Sequence, residues 1–210
     1  MDVYGFYQQS IAPTMTLKEN KAALRKRLIA TRDTFSATAR EQASQCILRK
    51  VAGDAAYQAA HSVLAYHSFG SELSTRPFLE ATLAAGKILV LPRVDGASNS
   101  LMLYRVVDLA LDMESGKWGI PQPRLNKSRQ VEMSSVDFVL VPGVGFDAQC
   151  GRLGYGAGFY DRLLGASANR LQRRVAGAFD CQMVDTVPTD EADVPVDCVL
   201  TETREFQRES

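Results

Sequence analysis

Apolar positions in the first third of the chain recur at helical spacing. "KENKAALRKRLIATRDTF" places Ala23, Leu24, Leu28 and Ile29 on one face and basic side chains on the other, which predicts an amphipathic helix. "TARE", Thr38 to Glu41, has the spacing of a capping box, and "QASQCILRKV" continues it as a second helix. Asp54 stands where it can cap a short third helix, "AAYQAA". The period then changes. "SVLAYHSF" is a compact apolar run of strand length. "STRPFLEATLAAG" reads as a helix with a Ser or Thr cap and a terminal Gly86. "KILVLPRV" and "LMLYRVVD" read as strands, and "SVDFVLVPGVGF" is the clearest buried one. "RRVAGAF" and "DCVLTET" supply two more near the end. Strands separated by helical segments predict an α/β fold, with a mostly parallel sheet covered on both faces behind a helical N-terminal region.

No repeat, low-complexity stretch or long Pro/Gly/Ser linker divides the chain, so residues 16–210 are expected to form one domain and residues 1–15 a loose extension. Composition is that of a globular protein: 210 residues, 46% hydrophobic and 23% charged. The formal net charge is zero, which argues against a nucleic-acid backbone as partner. The N-terminus lacks the basic-then-apolar order of a signal peptide, and no apolar run approaches bilayer length. Four cysteines without a CxxC pair read as reduced thiols of a cytoplasmic protein. With only two histidines, His-based metal sites and Ser-His-Asp triads are poor explanations of any activity.

The densest chemistry lies in "GRLGYGAGFYDRLL", Gly151 to Leu164, beyond the carboxyl end of the clearest strand, where α/β sheets gather their ligands. It is neither a P-loop nor a Rossmann fingerprint, since Gly154, Gly156 and Gly158 alternate strictly. Such glycines can turn several N–H groups toward a phosphate, with Arg152 adding charge, or can simply make a tight strand-to-helix connection. Asp161, in the first helical turn, either complements the helix dipole or holds Mg²⁺ beside phosphates, with a second carboxylate from "PTDEADVPVD". Lys21 and Arg25 share a helix face and are either solvated or ligand-binding. Glu72 follows a strand end and is a helix cap or a ligand contact. Trp118 is core or a platform for an aromatic ligand.

Together these fragments resemble the 5-formyltetrahydrofolate cyclo-ligase family, also called methenyltetrahydrofolate synthetases. The resemblance runs from about Lys21 to about Thr201 and rests chiefly on "VPGVGFDAQCGRLGYGAGFYDRLL". "KAALRKRL", "YHSFGSELST", "GKILVLPRV", "WGIPQP" and "DVPVD" follow the family's order. It implies a three-layer α/β/α fold. It also implies a reaction, in which 5-formyltetrahydrofolate and ATP, with Mg²⁺, give 5,10-methenyltetrahydrofolate, ADP and phosphate. By the same resemblance Lys21, Ala22, Ala23, Leu24 and Arg25 contact ATP, as do Arg152, Leu153, Gly154, Tyr155, Gly156, Ala157, Gly158, Phe159 and Tyr160. Arg25, His67, Glu72, Trp118 and Tyr155 to Phe159 contact the folate. Asp161 and Asp193 bind magnesium, and Arg152 and Glu72 carry the catalysis. His67 stands where the family tolerates apolar residues, and Ala157 where some members carry lysine, which leaves more charge to Arg152. The expected enzyme is a monomer acting on small molecules, without a nucleic-acid or membrane partner. A sugar-phosphate isomerase or CoA-transferase-like protein would need no magnesium pair. A silent folate- or nucleotide-binding protein would not need Glu72, Arg152, Asp161 and Asp193 all together.

Overall fold

Thr16 starts the first helix, α1 (Leu17–Asp33), with a full capping box. Its hydroxyl accepts from the Glu19 N–H at 3.3 Å, and the Glu19 carboxylate accepts from the Thr16 N–H at 2.8 Å. A computed structural model describes this chain over residues 15–116, 119–126, 129–166 and 172–209; most of the expected N-terminal extension and Trp118 lie outside the described residues. The buried side of α1 matches the expected one only in part: Leu28 is buried but so are Lys21 and Arg32, whereas Ala23 is exposed. The helix lies over loops rich in carboxylates and hydroxyls, so basic groups gain more than alanine does from facing inward. Its apolar residues Leu24, Leu28 and Ile29 pack on Val144, Leu153 and Val187.

The second helix, α2 (Ala37–Gly53), starts before "TARE", because the Ser36 hydroxyl accepts from the Ala39 N–H at 3.1 Å. The expected capping box therefore lies inside its first turn. Asp54 caps α3 (Ala55–Ala59) as expected, accepting from the N–H groups of Ala56 and Tyr57. After β1 (Ser62–Leu64) comes α4 (Arg76–Ala84), preceded by Thr75. That threonine does not cap the helix through its side chain; its hydroxyl donates to the Tyr66 carbonyl at 2.7 Å instead. Pro77 in the first turn needs no N–H partner, which lightens the loss.

Then follow β2 (Ile88–Asp95), β3 (Ser100–Val106), β4 (Met113–Ser115), β5 (Pro121–Pro123), β6 (Gln130–Val131), β7 (Phe138–Leu140), β8 (Gly145–Phe146) and β9 (Arg152–Leu153). The chain closes with α5 (Phe159–Gly165), β10 (Arg173–Gly177), β11 (Cys198–Leu200) and β12 (Glu205–Gln207). Among the described residues the main sheet has eight strands in the order β12-β11-β10-β7-β1-β2-β3-β6. Its centre, β11-β10-β7-β1-β2, is parallel throughout. Both flanks are antiparallel: β3 forms a hairpin with β2, and β12 returns along β11. The long apolar run 135–146 is broken at Pro142-Gly143. Only Phe138–Leu140 joins the sheet as a strand, while Gly145–Phe146 turns off to pair with Arg152–Leu153. In the parallel core the chain order reverses between β1 and β7, which is where doubly wound sheets open a crevice.

Helices α2, α3 and α4 cover one sheet face through Ile47, Val51, Tyr57, Phe78 and Leu79. On the other face α5 and the β8–β9 hairpin pack Leu164 and Phe146 against Leu64, Val90, Val139 and Ala176. The result is the three-layer α/β arrangement expected. One tight seam is at Gly177, where a Cβ would come within 2.6 Å of Leu73 Cδ2 and 2.8 Å of Ile47 Cγ2. Gly177→Ala is expected to cost about 1–3 kcal/mol of stability, read from chemical denaturation; an unchanged midpoint would show that the seam can relax.

Candidate active site

The segments leaving β1 and β7 diverge at the switch point, and a cavity of about 420 Å³ opens there. Tyr66, His67 and Glu72 reach it from the segment after β1, and Pro142 from the one after β7. Its remaining wall comes from Arg152, Gly154, Tyr155 and residues 157–161, with apolar cover from Pro92, Val94, Leu101 and Ile120.

The glycine stretch curves around this space because two of its residues adopt backbone angles that L side chains avoid: φ is +101° at Gly156 and +66° at Gly158. Gly158 leads into α5, whose first turn has no side-chain cap. Arg25 fastens the stretch to α1, its Nε donating to the Gly154 carbonyl at 2.7 Å. Gly156 lies against the same guanidinium, 3.4 Å from where its Cβ would be.

One end of the site is a cluster of paired charges. Lys21 donates to Asp190 at 2.8 Å and to Asp193. Burial opposes the lysine's charge, but its bonds to the two carboxylates outweigh that and raise its pKa. Arg152 is ion-paired with Asp161, which also accepts from the Val194 N–H at 3.1 Å. That bond brings Asp161 beside the segment carrying Asp193. The Arg152 side chain is only 2% exposed, yet its Nε has no partner, and neither has the Tyr160 hydroxyl. Both residues line the cavity. Buried donors left open in this way are costly unless an acceptor arrives.

The other end is built on Glu72, 5% exposed. Its Oε2 accepts from the Phe69 N–H at 3.0 Å, and its Oε1 accepts from the Tyr155 hydroxyl at 2.6 Å. Burial pushes the carboxyl above the usual carboxylate range, against the pull of Tyr155, Phe69 and Arg32. The rings of Phe69 and Tyr155 lie 5.4 Å apart, tilted by 39°, with His67 nearby on the same cavity wall.

The structure therefore brings Lys21, Arg25, His67, Glu72, Arg152, Asp161, Asp193 and the segment Gly154 to Tyr160 into one region. It does not bring in every expected contact. Ala22 and Ala23 are exposed, and Leu24 and Leu153 belong to the apolar cluster under α1. Two residues absent from the sequence-based set stand in the site: Asp190, on Lys21, and Arg32, which donates to Tyr155 at 3.0 Å. Spacing was the one available signal for Arg32, which falls seven positions after Arg25 and so on nearly the same helix face.

Comparison with known proteins bears on the same regions. The sequence model of the 5-formyltetrahydrofolate cyclo-ligase family matches residues 17–202. The 5-formyltetrahydrofolate cyclo-ligase of Escherichia coli (strain K12) is 32% identical over 148 residues, 70% of this chain and 81% of that protein. That of Mus musculus is 30% identical over 196 residues, 90% of this chain and 96% of that protein. The solved structure of Aquifex aeolicus 5,10-methenyltetrahydrofolate synthetase matches with a TM-score of 0.78 at 31% identity, covering 90% of this chain and 93% of that one. The family match takes in α1, the glycine stretch and the Asp190–Asp193 turn alike, and the relatives are covered along most of their length: the chain belongs to the 5-formyltetrahydrofolate cyclo-ligase family.

Proposed function

We propose that this enzyme closes 5-formyltetrahydrofolate to 5,10-methenyltetrahydrofolate, using ATP as co-substrate with Mg²⁺ and releasing ADP and phosphate. One observation carries the reading. A single cavity is lined both by a buried carboxylate with acceptor capacity to spare, Glu72, and by Arg152 and Tyr160, each of which keeps a buried donor without a partner. The first suits the N–H groups of a reduced pterin, and the second suits phosphate oxygens.

The chemistry follows from the substrate. A formamide carbon is a poor electrophile because the nitrogen lone pair delocalises into the carbonyl, and its oxygen is a poor leaving group. Attack of that oxygen on the γ-phosphorus of ATP expels ADP and leaves an imidate-like phosphate. N10 then adds to the carbon and gives up its proton to solvent, the C–O bond breaks with loss of phosphate, and the five-membered ring closes. Little covalent work falls to the protein, which must align the reactants and neutralise charge. Glu72 fixes the ring and with it the formyl group. Arg152 and Lys21 take the phosphate oxygens.

The donor set fits Mg²⁺. Asp161 and Asp193 come from segments joined by the Val194–Asp161 hydrogen bond, and among the described residues no group of three or more metal-binding side chains exists. A carboxylate pair completed by phosphate oxygens is how this ion is commonly held. When bound, it supplies neutralisation of the phosphate charge. Arg152 and Lys21, now paired with the same carboxylates, would then be free to turn toward the nucleotide.

The test is the absorbance of methenyltetrahydrofolate formed from 5-formyltetrahydrofolate. Turnover is expected only with ATP and a divalent cation together, and Asp161→Asn is expected to weaken productive use of ATP. Full activity in excess chelator, or in that variant, would refute the metal assignment. The reading places the enzyme in the cytoplasm as a monomer. The cysteines are all free, and no described helix is long and apolar enough to cross a membrane.

A further inference from the structure

Arg32 lies in the last turn of α1 and is 3% exposed. A guanidinium there is expensive to bury unless its donors are used. Two of them are: Nε donates to the Ser71 hydroxyl at 3.0 Å and Nη2 to the Tyr155 hydroxyl at 3.0 Å. Ser71 in turn donates to Asp33, and Tyr155 donates to Glu72 at 2.6 Å. The proton order is fixed by chemistry. Arginine has no acceptor, so both hydroxyls must receive from it and pass their own protons on, one to each carboxylate. Tyr155 is thereby committed to Glu72 and cannot rotate to donate elsewhere. The Glu72 carboxylate is thus held at both oxygens, by Tyr155 and by the Phe69 N–H.

We propose that Arg32 is a positioning residue of the folate site, acting through the Tyr155 hydroxyl to hold the Glu72 carboxylate in its ring-accepting orientation. This rests on the reading of Glu72 as the pterin contact. It gives α1 a function at its C-terminal end as well as at the Lys21 end. The other charged and titratable groups about Glu72 are Asp33 behind Ser71, Tyr66 and His67 after β1, and Arg152 and Tyr160 across the cavity. Arg32 is the cation that reaches Glu72 through a shared hydroxyl, and its charge favours the ionised carboxylate.

Steady-state kinetics on the full chain tests this. Arg32→Met is expected to raise the KM for 5-formyltetrahydrofolate about tenfold, with the KM for ATP unchanged. It should also move the acid limb of kcat/KM to higher pH, because removing a cation favours the protonated Glu72. Tyr155→Phe is expected to do the same. If Arg32 works through Tyr155, the double variant shows about the same tenfold rise rather than about a hundredfold one. A wild-type folate KM in Arg32→Met, equal rises for ATP and folate, or additive losses in the double variant would each overturn the inference. Should Arg32→Met fail to fold, Arg32→Lys serves in its place. An ammonium keeps the charge but cannot present the planar fork that reaches Ser71 and Tyr155 together, so a rise of about threefold confined to folate is expected. An unchanged KM there overturns the inference as well. Failure of the underlying reading looks different: Glu72→Gln would itself keep a normal folate KM.

Discussion

Glu72→Gln is expected to lower kcat/KM for 5-formyltetrahydrofolate at least about tenfold, the value of one charge-assisted hydrogen bond, while the melting temperature holds or rises. The two halves have separate causes. A neutral amide cannot offer the pterin two acceptor oxygens, so binding and orientation suffer. Stability moves the other way because burial raises the carboxyl above its ordinary value of 4.5 in the folded chain. A group raised in this manner binds its proton more tightly when folded. Its contribution is complete below the unfolded pKa and is lost as pH rises through the folded one. At neutral pH the buried charge is therefore a cost that glutamine removes. Melting curves of both proteins should separate at pH 7, in favour of the variant, and converge toward pH 4. The alternative role, starting α4, finds no support in the contacts, because Glu72 accepts from Phe69 and Tyr155, and neither belongs to that helix. A variant with lowered melting temperature and normal kinetics would return Glu72 to a structural part.

Arg152→Lys is expected to reduce kcat about a hundredfold or more, with kcat/KM for ATP falling alongside. Lysine keeps a positive charge for Asp161 but loses the planar fork, including the buried Nε that has no partner. An interaction made chiefly in the transition state lowers both constants together. Alanine is a poorer probe, despite being the simpler change. The side chain is 2% exposed and ion-paired, so truncation would strand Asp161 and cost about 3–5 kcal/mol of stability in addition. Rates at saturating and limiting ATP distinguish the outcomes, and wild-type values in Arg152→Lys would remove Arg152 from phosphoryl transfer.

Much of the architecture is legible in the sequence because buried parallel strands are short apolar runs bounded by turn residues. Phe138–Leu140 and Cys198–Leu200, buried at every position, are of this kind. Strand direction is not encoded in that way, so the antiparallel return of β3 and the edge strand β12 become visible only through pairing. The glycine stretch is legible because Gly156 and Gly158 take angles that demand glycine. The inward face of α1 is not. A lysine that meets Asp190, 169 positions away, has the same local spacing as one in water. Arg32 is hidden for the same reason, since its partners Ser71 and Tyr155 follow it by 39 and 123 positions.

Those inward residues of α1, Lys21, Arg25, Leu28 and Arg32, lie on one stripe of a single unbroken helix. From Lys21 to Arg32 the rise is about 16 Å. The same rigid rod thus touches the Asp190–Asp193 turn at one end, the glycine stretch at its middle and the Tyr155–Glu72 pair at the other. It works as a ruler, setting the span between the Asp190–Asp193 turn and the Tyr155–Glu72 pair by counting residues. Single side chains on it can be exchanged one at a time, but its length cannot. One residue inserted between Arg25 and Leu28 would turn everything beyond it by about 100° and advance it by about 1.5 Å, so Lys21 and Arg32 could no longer both find their partners. Substitutions along this helix are therefore graded in effect, whereas insertions and deletions within it are all-or-none.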